Sequence, residues 1–185
     1  DYIAAHGFYS WVPPHVANGL LAAIKRLLKP QGIAFVSYNV YPGWYQMEGL
    51  RRMMLYRTRH AHAPAERIAQ AREVLQFVAH TNAANESPFG MWVNGYQEYI
   101  DAGDVFNTAE RDAYMLHDQL EQDNYPAFFH EFNAHCRQHG LQYVCDAEIQ
   151  QDFPQGLPEG SLDYLRKMVQ SVDDMQQYMD FARNR

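Results

Sequence analysis

Apolar positions along the chain follow two rhythms. Tyr2-Ile3-Ala4-Ala5 is a short apolar run that stops at His6-Gly7. A second run, Ile33-Ala34-Phe35-Val36, follows Lys29-Pro30-Gln31-Gly32 and leads into Ser37-Tyr38. Between them Val16, Leu20, Ile24, Leu27 and Leu28 recur at helical spacing behind Pro13-Pro14, where proline suits a first turn. Lys25, Arg26 and Lys29 sit near the carboxyl end, where positive charge is favoured. The pattern predicts a strand, a crossover helix and a second strand, the unit from which parallel sheets are wound. Ile33–Val36 lacks alternation, as expected of a strand covered on both faces. Ligands of such sheets bind beyond the carboxyl ends of the strands. Those ends carry His6-Gly7-Phe8-Tyr9-Ser10-Trp11 and Tyr38-Asn39-Val40-Tyr41-Pro42-Gly43-Trp44.

From Trp44 to about residue 112 the rhythm is helical. Met47, Leu50, Met54 and Leu55 stripe a helix from about Trp44 to Arg59. Ile68, Ala71, Leu75 and Val78 stripe a second that opens at Pro64 and stops in Thr81-Asn82-Ala83-Ala84-Asn85. Met91, Trp92, Tyr96, Tyr99 and Ile100 mark a third after Ser87-Pro88, and Asn107-Thr108 caps a short fourth. Tyr114–Leu120 then reads as a short extended segment. Phe128, Phe129, Phe132 and Cys136 mark a helix stopped by His139-Gly140, and Leu141–Ile149 is a strand. After a Pro/Gly loop, Leu162, Leu165, Val169, Val172, Met175 and Met179 mark one last helix. The organisation is therefore α/β: 1–43 strand–helix–strand, 44–112 helical insertion, 113–150 late helix and strand, 151–185 loop and helix.

An apolar share of 47% with 20% charged residues is ordinary globular composition. No run of about 18 apolar residues exists, which predicts no membrane helix. Cys136 and Cys145 lack framework spacing and read as reduced thiols, placing the protein in the cytoplasm. The net charge of −7 is uneven. Residues 1–80 hold nine Lys/Arg against four Asp/Glu, and 81–185 hold six against eighteen. Arg51, Arg52, Arg57, Arg59, Arg67 and Arg72 form a basic cluster, read as a solvated helix face paired with acidic residues rather than a nucleic-acid surface. The chain begins inside its first strand, so it reads as part of a larger protein.

The order Asp1-Tyr2-Ile3, crossover helix, Leu28-Lys29-Pro30-Gln31-Gly32, strand resembles the second half of class I SAM-dependent methyltransferases, with Gln31 a mild departure from a Lys-Pro-Gly-Gly-like turn. Residues 126–149 resemble the late helix and sixth strand of that fold. His6-Gly7-Phe8-Tyr9-Ser10-Trp11-Val12-Pro13-Pro14, Ser37-Tyr38-Asn39, Tyr41-Pro42-Gly43-Trp44 and Met53-Met54-Leu55-Tyr56 are similar to bacterial methyltransferases carrying the predicted methyltransferase regulatory domain. Relatives of that group include bacterial protein-lysine methyltransferases of outer-membrane proteins. The resemblance runs over nearly the whole chain. It implies a partial Rossmann-like sheet, later strands only, with a mostly α-helical regulatory insertion after the fifth strand. It also implies SAM as cofactor, and an acceptor whose class is a protein amine. The glycine-rich turn and ribose-binding acid of such enzymes would lie upstream of Asp1, so the chain alone is expected to bind SAM weakly or not at all and to be inactive.

On that resemblance the backbone of Ala5, His6 and Gly7 borders the methionine end of SAM. His6, Tyr9 and Tyr38 are the candidates to accept or relay a proton, and Trp11, Asn39, Tyr41 and Trp44 face the acceptor. Aromatic rings suit a cationic amine or sulfonium through cation–π contact. The bland alternative is that these rings pack where the insertion meets the sheet. Asn39-Val40-Tyr41-Pro42 superficially matches the Asn-Pro-Pro-Tyr motif of amino-methylating enzymes, but it follows the wrong strand and is discounted. His135 and His139 stand four apart beside Cys136, with His130 one turn back and His60-Ala61-His62 elsewhere. No third and fourth ligand pair is evident, so no metal is expected. Met47, Met53 and Met54 read as core filler. The helical insertion is a candidate lid. A rival reading is a non-catalytic module whose helical block and 161–182 helix dock partners or a second copy of the chain. A glycine-rich turn upstream would decide between the two.

Overall fold

The computed structural model describes residues 1–84, 87–102 and 108–185; the expected stop at Asn85 and cap at Asn107 lie outside them, as do the side chains of Tyr99 and Ile100. The chain divides into two compact units, one formed by Asp1–Tyr45 with Asp123–Arg185 and the other by Gln46–Gln122.

In the first unit β1 (Tyr2–Ala5) pairs in parallel with β2 (Ile33–Val36), Tyr2 opposite Ile33 and Ala5 opposite Val36. The crossover is α1 (Pro14–Leu27), whose first turn accommodates Pro14 and whose last turn carries Lys25 and Arg26. Ala17, Leu21 and Ile24 are buried against Ile3, Ala34 and Val36 of the strands and Phe132 and Cys136 of a later helix, α6 (Phe129–Gln138). Each fully buried Leu or Ile contributes about 1.5–3 kcal/mol. Leu27, expected in this stripe, is 67% exposed because the helix faces the sheet through Ala17, Leu21 and Ile24 instead. The expectation of a strand covered on both faces also fails. Tyr2, Ile33 and Phe35 are 85%, 49% and 40% exposed, so α1 and α6 cover one face among the described residues.

Two further expectations in this part of the chain are corrected. Leu141–Ile149 forms no strand ladder among the described residues. Its polar groups turn locally: Tyr143 donates to the Asp152 carboxylate at 2.6 Å, and the Asp146 N–H is shared between both Asp152 oxygens. The single last helix is two, α7 (Ser161–Met168) and α8 (Val172–Arg183). Ser171 caps α8 by accepting from the Asp174 N–H at 3.0 Å, while the Asp174 carboxylate accepts from the Gln170 N–H. Ser171 thus starts a new helix within an apolar spacing that reads as continuous.

The second unit is helical: α2 (Trp44–Arg57) continues into it, followed by α3 (Pro64–Asn82), α4 (Pro88–Ala102) and α5 (Thr108–Tyr114). Leu50, Met54, Ile68, Ala71, Leu75, Val78, Val93, Tyr96, Met115 and Leu120 form its core. Met91 is exposed, and Val93 takes the core position expected of it. The segment expected to be extended, Tyr114–Leu120, is instead α5 running into a π-helical turn at Met115–Gln119. Burial of Met115 and Leu120 overrides local preference there, and two arginines satisfy the terminal carbonyls. Arg51 donates to the carbonyls of Asp118, Gln119 and Glu121, and Arg67 donates to that of Leu120. The basic cluster is therefore not a uniformly solvated face. Arg51 is buried, Arg52 pairs with Glu48, Arg57 with Glu73 and Arg72 with Asp112, and Arg59 lies over the Tyr56 ring.

Candidate active site at the strand tips

The parallel register decides what the strand tips present. The Ser37 N–H donates to the Ala5 carbonyl at 3.1 Å, which brings Ser37 beside His6. Ser37 Oγ accepts from the Gly7 N–H at 2.8 Å and lies 2.9 Å from His6 Nδ1. With Nδ1–H donating to that oxygen, the free lone pair of the exposed ring is on Nε2. The His6 ring lies 6.0 Å from the Phe35 ring, on the open face of the sheet. Gly7 has φ +62°, and no heavy atom stands within 4 Å of where a Cβ would be. The chain turns there without walling off the tip.

Tyr38 goes to the opposite face. It stacks on Phe132 at 4.1 Å, and Tyr9 meets Phe132 edge-on at 5.0 Å. The Tyr9 hydroxyl lies 2.7 Å from His135 Nδ1. Burial, followed by Cys136 and Glu131, pushes the Tyr9 phenol up to about 12. Burial, followed by Asp180 and Asp146, holds Tyr38 well above the ordinary tyrosine range. Both phenols are therefore protonated at neutral pH and belong to the α1–α6 core. The expected crevice shared by His6 and Tyr38 is not formed, because the register sets Ser37 beside His6, and Tyr38, one residue on, faces the other way. His6 is left as the base candidate, with Ser37 beside it.

Asn39 is held by three bonds. Its N–H donates to Ser10 Oγ, its amide donates to Asn124 Oδ1, and its carbonyl accepts from the Ala127 N–H. Tyr41 stacks on Tyr45 at 4.0 Å ahead of a cis peptide bond to Pro42. Trp11 and Trp44 meet edge-to-face at 6.0 Å, and Trp44 Nε1 is shut from solvent without a hydrogen-bond partner among the described residues. Among the expected residues, the structure brings Ala5, His6 and Gly7 together at one tip, Tyr9 with Tyr38 beneath, and Trp11 with Trp44 alongside. Sequence reasoning missed Ser37 as a partner of His6. The available signal was register, since Ser37 follows β2 as His6 follows β1. Among the described residues no group of three or more His, Cys, Asp or Glu is placed to hold a metal ion.

A half-buried ionic group closes this unit near Tyr38. Arg185 donates to Asp180 at 2.6 Å and to Asp146 at 2.8 Å, and Gly43 has backbone of Asn184 where a Cβ would sit. Burial, opposed by Arg185 and assisted by Asp146, pushes the Asp180 carboxyl up to about 6. A folded value above the unfolded one means that the folded state binds the proton more tightly. The stabilisation from this group is full below about pH 4 and is lost as pH rises through about 6, on the order of 3 kcal/mol. The melting temperature of wild type minus that of Asp180→Asn should fall between pH 4 and pH 7. A difference constant across that window would contradict the assignment.

Residues 111–185 match the family model of the predicted methyltransferase regulatory domain. This match overlaps the helical block expected at 44–112 only at its end. The chain is 36% identical over 185 residues to the uncharacterised protein RP789 of Rickettsia prowazekii, covering all of this chain and 32% of that protein. It is 31% identical over 132 residues to RP028 of the same organism, covering 71% of this chain and 50% of that protein. The solved structure of PKMT2 from Rickettsia typhi aligns with all of this chain at a TM-score of 0.79 and 32% identity, and its complex with AdoHcy does so at 0.80 and 31%. The chain spans about a third of the length of RP789 and of PKMT2. Among the described residues no helix is long and apolar enough to cross a membrane.

Proposed function

We propose that the chain, whose residues 111–185 match the model of the predicted methyltransferase regulatory domain, is the later half of a Rossmann-like methyltransferase sheet with its associated helices, within a protein that methylates a protein amine. The observation that carries the reading is the likeness of all 185 residues to one third of PKMT2, which has been solved with AdoHcy. The open apolar face of Tyr2, Ile33 and Phe35 supports it, since a parallel sheet of this class is covered on both sides. The fit to a SAM-type cofactor rests on the tip at Ala5-His6-Gly7, where positive φ at Gly7 and free space around it admit a ligand close to the backbone.

When bound, SAM supplies an electrophilic methyl group on a sulfonium. The backbone of Ala5, His6 and Gly7 borders it. The amine nitrogen would take the methyl carbon as its bond to sulfur breaks and leaves a neutral thioether; the proton the amine must lose would go to His6 Nε2, with Ser37 fixing the ring. Tyr41 offers an aromatic face toward the acceptor. The free thiols Cys136 and Cys145 suit a reducing cytoplasm. We assign the glycine-rich turn and the ribose-binding acid to residues outside these 185.

The test uses radiolabelled SAM with the longer polypeptide that contains this chain, together with calorimetry on the 185-residue chain. Label should pass to a lysine-bearing protein acceptor from the longer form only. Low-micromolar SAM binding by the 185 residues alone would remove the assignment of the cofactor cradle, and no transfer by the longer form would remove the activity.

A further inference from the structure

Two imidazoles and one amide oxygen converge away from the strand tips. His135 and His139 stand one turn apart on α6, with ring centroids 5.4 Å apart. Their Nε2 atoms lie 3.3 Å and 2.9 Å from the same atom, Asn18 Oδ1 on α1. The ring of His135 is fixed from behind, because its Nδ1 meets the hydroxyl of the buried Tyr9, itself packed against Phe132. Outer partners of this kind are what hold metal-ligating histidines in orientation. We propose that His135, His139 and Asn18 form a binding site for a divalent transition metal of the zinc, nickel or copper class, seated between α1 and α6.

Imidazole nitrogens select those ions over magnesium or calcium, which prefer all-oxygen sets. Without metal, both Nε2–H groups donate to Asn18 Oδ1. With metal, each neutral ring carries its proton on Nδ1 and turns the Nε2 lone pair to the ion, so no net proton is released. The His135 Nδ1–H then donates to the Tyr9 hydroxyl oxygen. Two nitrogens and one neutral oxygen leave coordination positions for water, so the site is open rather than a closed structural one. Cys136 is not a ligand, because its side chain packs into the α1 core. The sequence alone offered only the histidine pair; the fold supplies Asn18 from 117 residues away.

The inference is independent of methyl transfer, and its test is binding. Calorimetric titration of the 185-residue protein with zinc and with nickel should give one saturable equivalent, and magnesium none. His139→Gln and His135→Gln should each weaken binding by at least about tenfold, whereas His60→Gln with His62→Gln should leave it unchanged. Zinc should raise the melting temperature of the wild type and not that of His139→Gln, which also establishes that the variant is folded. Unsaturable uptake by the wild type, equal affinity in His139→Gln, or loss of binding in the His60/His62 variant would each overturn the proposal.

Discussion

Replacing Arg51 by alanine should lower stability by about 3–5 kcal/mol, the largest effect expected of any side chain in the helical unit. The guanidinium is buried and reaches three carbonyls, those of Asp118, Gln119 and Glu121, at 3.2, 3.3 and 2.8 Å. The first two oxygens close the π-helical turn at Met115–Gln119, and that of Glu121 lies just beyond it. Burial lowers the affinity of Arg51 for its proton, and Glu48 at 3.5 Å keeps it charged. Alanine would remove this shared donor and leave a cavity where the stem had packed. Arg51→Lys should recover only part of the loss, because a lysine has no counterpart of Nε, which faces Glu48 at 3.5 Å. Urea unfolding of the three proteins measures this, and a loss below about 1 kcal/mol for alanine, typical of an exposed pair, would show that the turn is held by something else.

In the longer polypeptide proposed to carry out the transfer, His6→Ala should reduce turnover by about 10²–10⁴ with little change in KM for SAM. The ring touches the reacting amine in the proposed arrangement, and its side chain lies at the exposed tip, outside the core. Added imidazole should restore part of the rate in His6→Ala, an effect that a merely structural role would not produce. Ser37 acts through His6 as a positioning residue, so Ser37→Ala should cost up to about a hundredfold. Ser37→Thr keeps the oxygen and should retain most of the activity. Unchanged turnover in His6→Ala, or a loss that imidazole does not relieve, would take His6 out of the chemistry.

The contrast between His6 and Tyr38 shows what one sequence can convey about such a site. Both residues follow apolar runs that read as strands, and both runs are strands. Whether their side chains share a face depends on a register fixed by pairing Ala5 with Val36, which neither run contains by itself. The same holds at Leu141–Ile149, whose composition suits a strand but whose polar groups are taken by Asp152 and Arg185. At Tyr114–Leu120 the missing information was the pair of arginines waiting from α2 and α3.

Local chemistry was sufficient for the strand–helix–strand order, the Pro14 start of α1, and the Ile68-Ala71-Leu75-Val78 stripe of α3, because periodicity and capping act within a few residues of chain. The exposed tip at His6-Gly7 was legible for the same reason. Which residues lie beside it, which phenols are buried, and which arginine is enclosed were decided by tertiary contacts. Ser37, Asn18 and the carbonyls at 118–121 meet their partners across 31 to 121 residues. Over such separations, burial and long-range pairing outweigh the weak preferences of short segments.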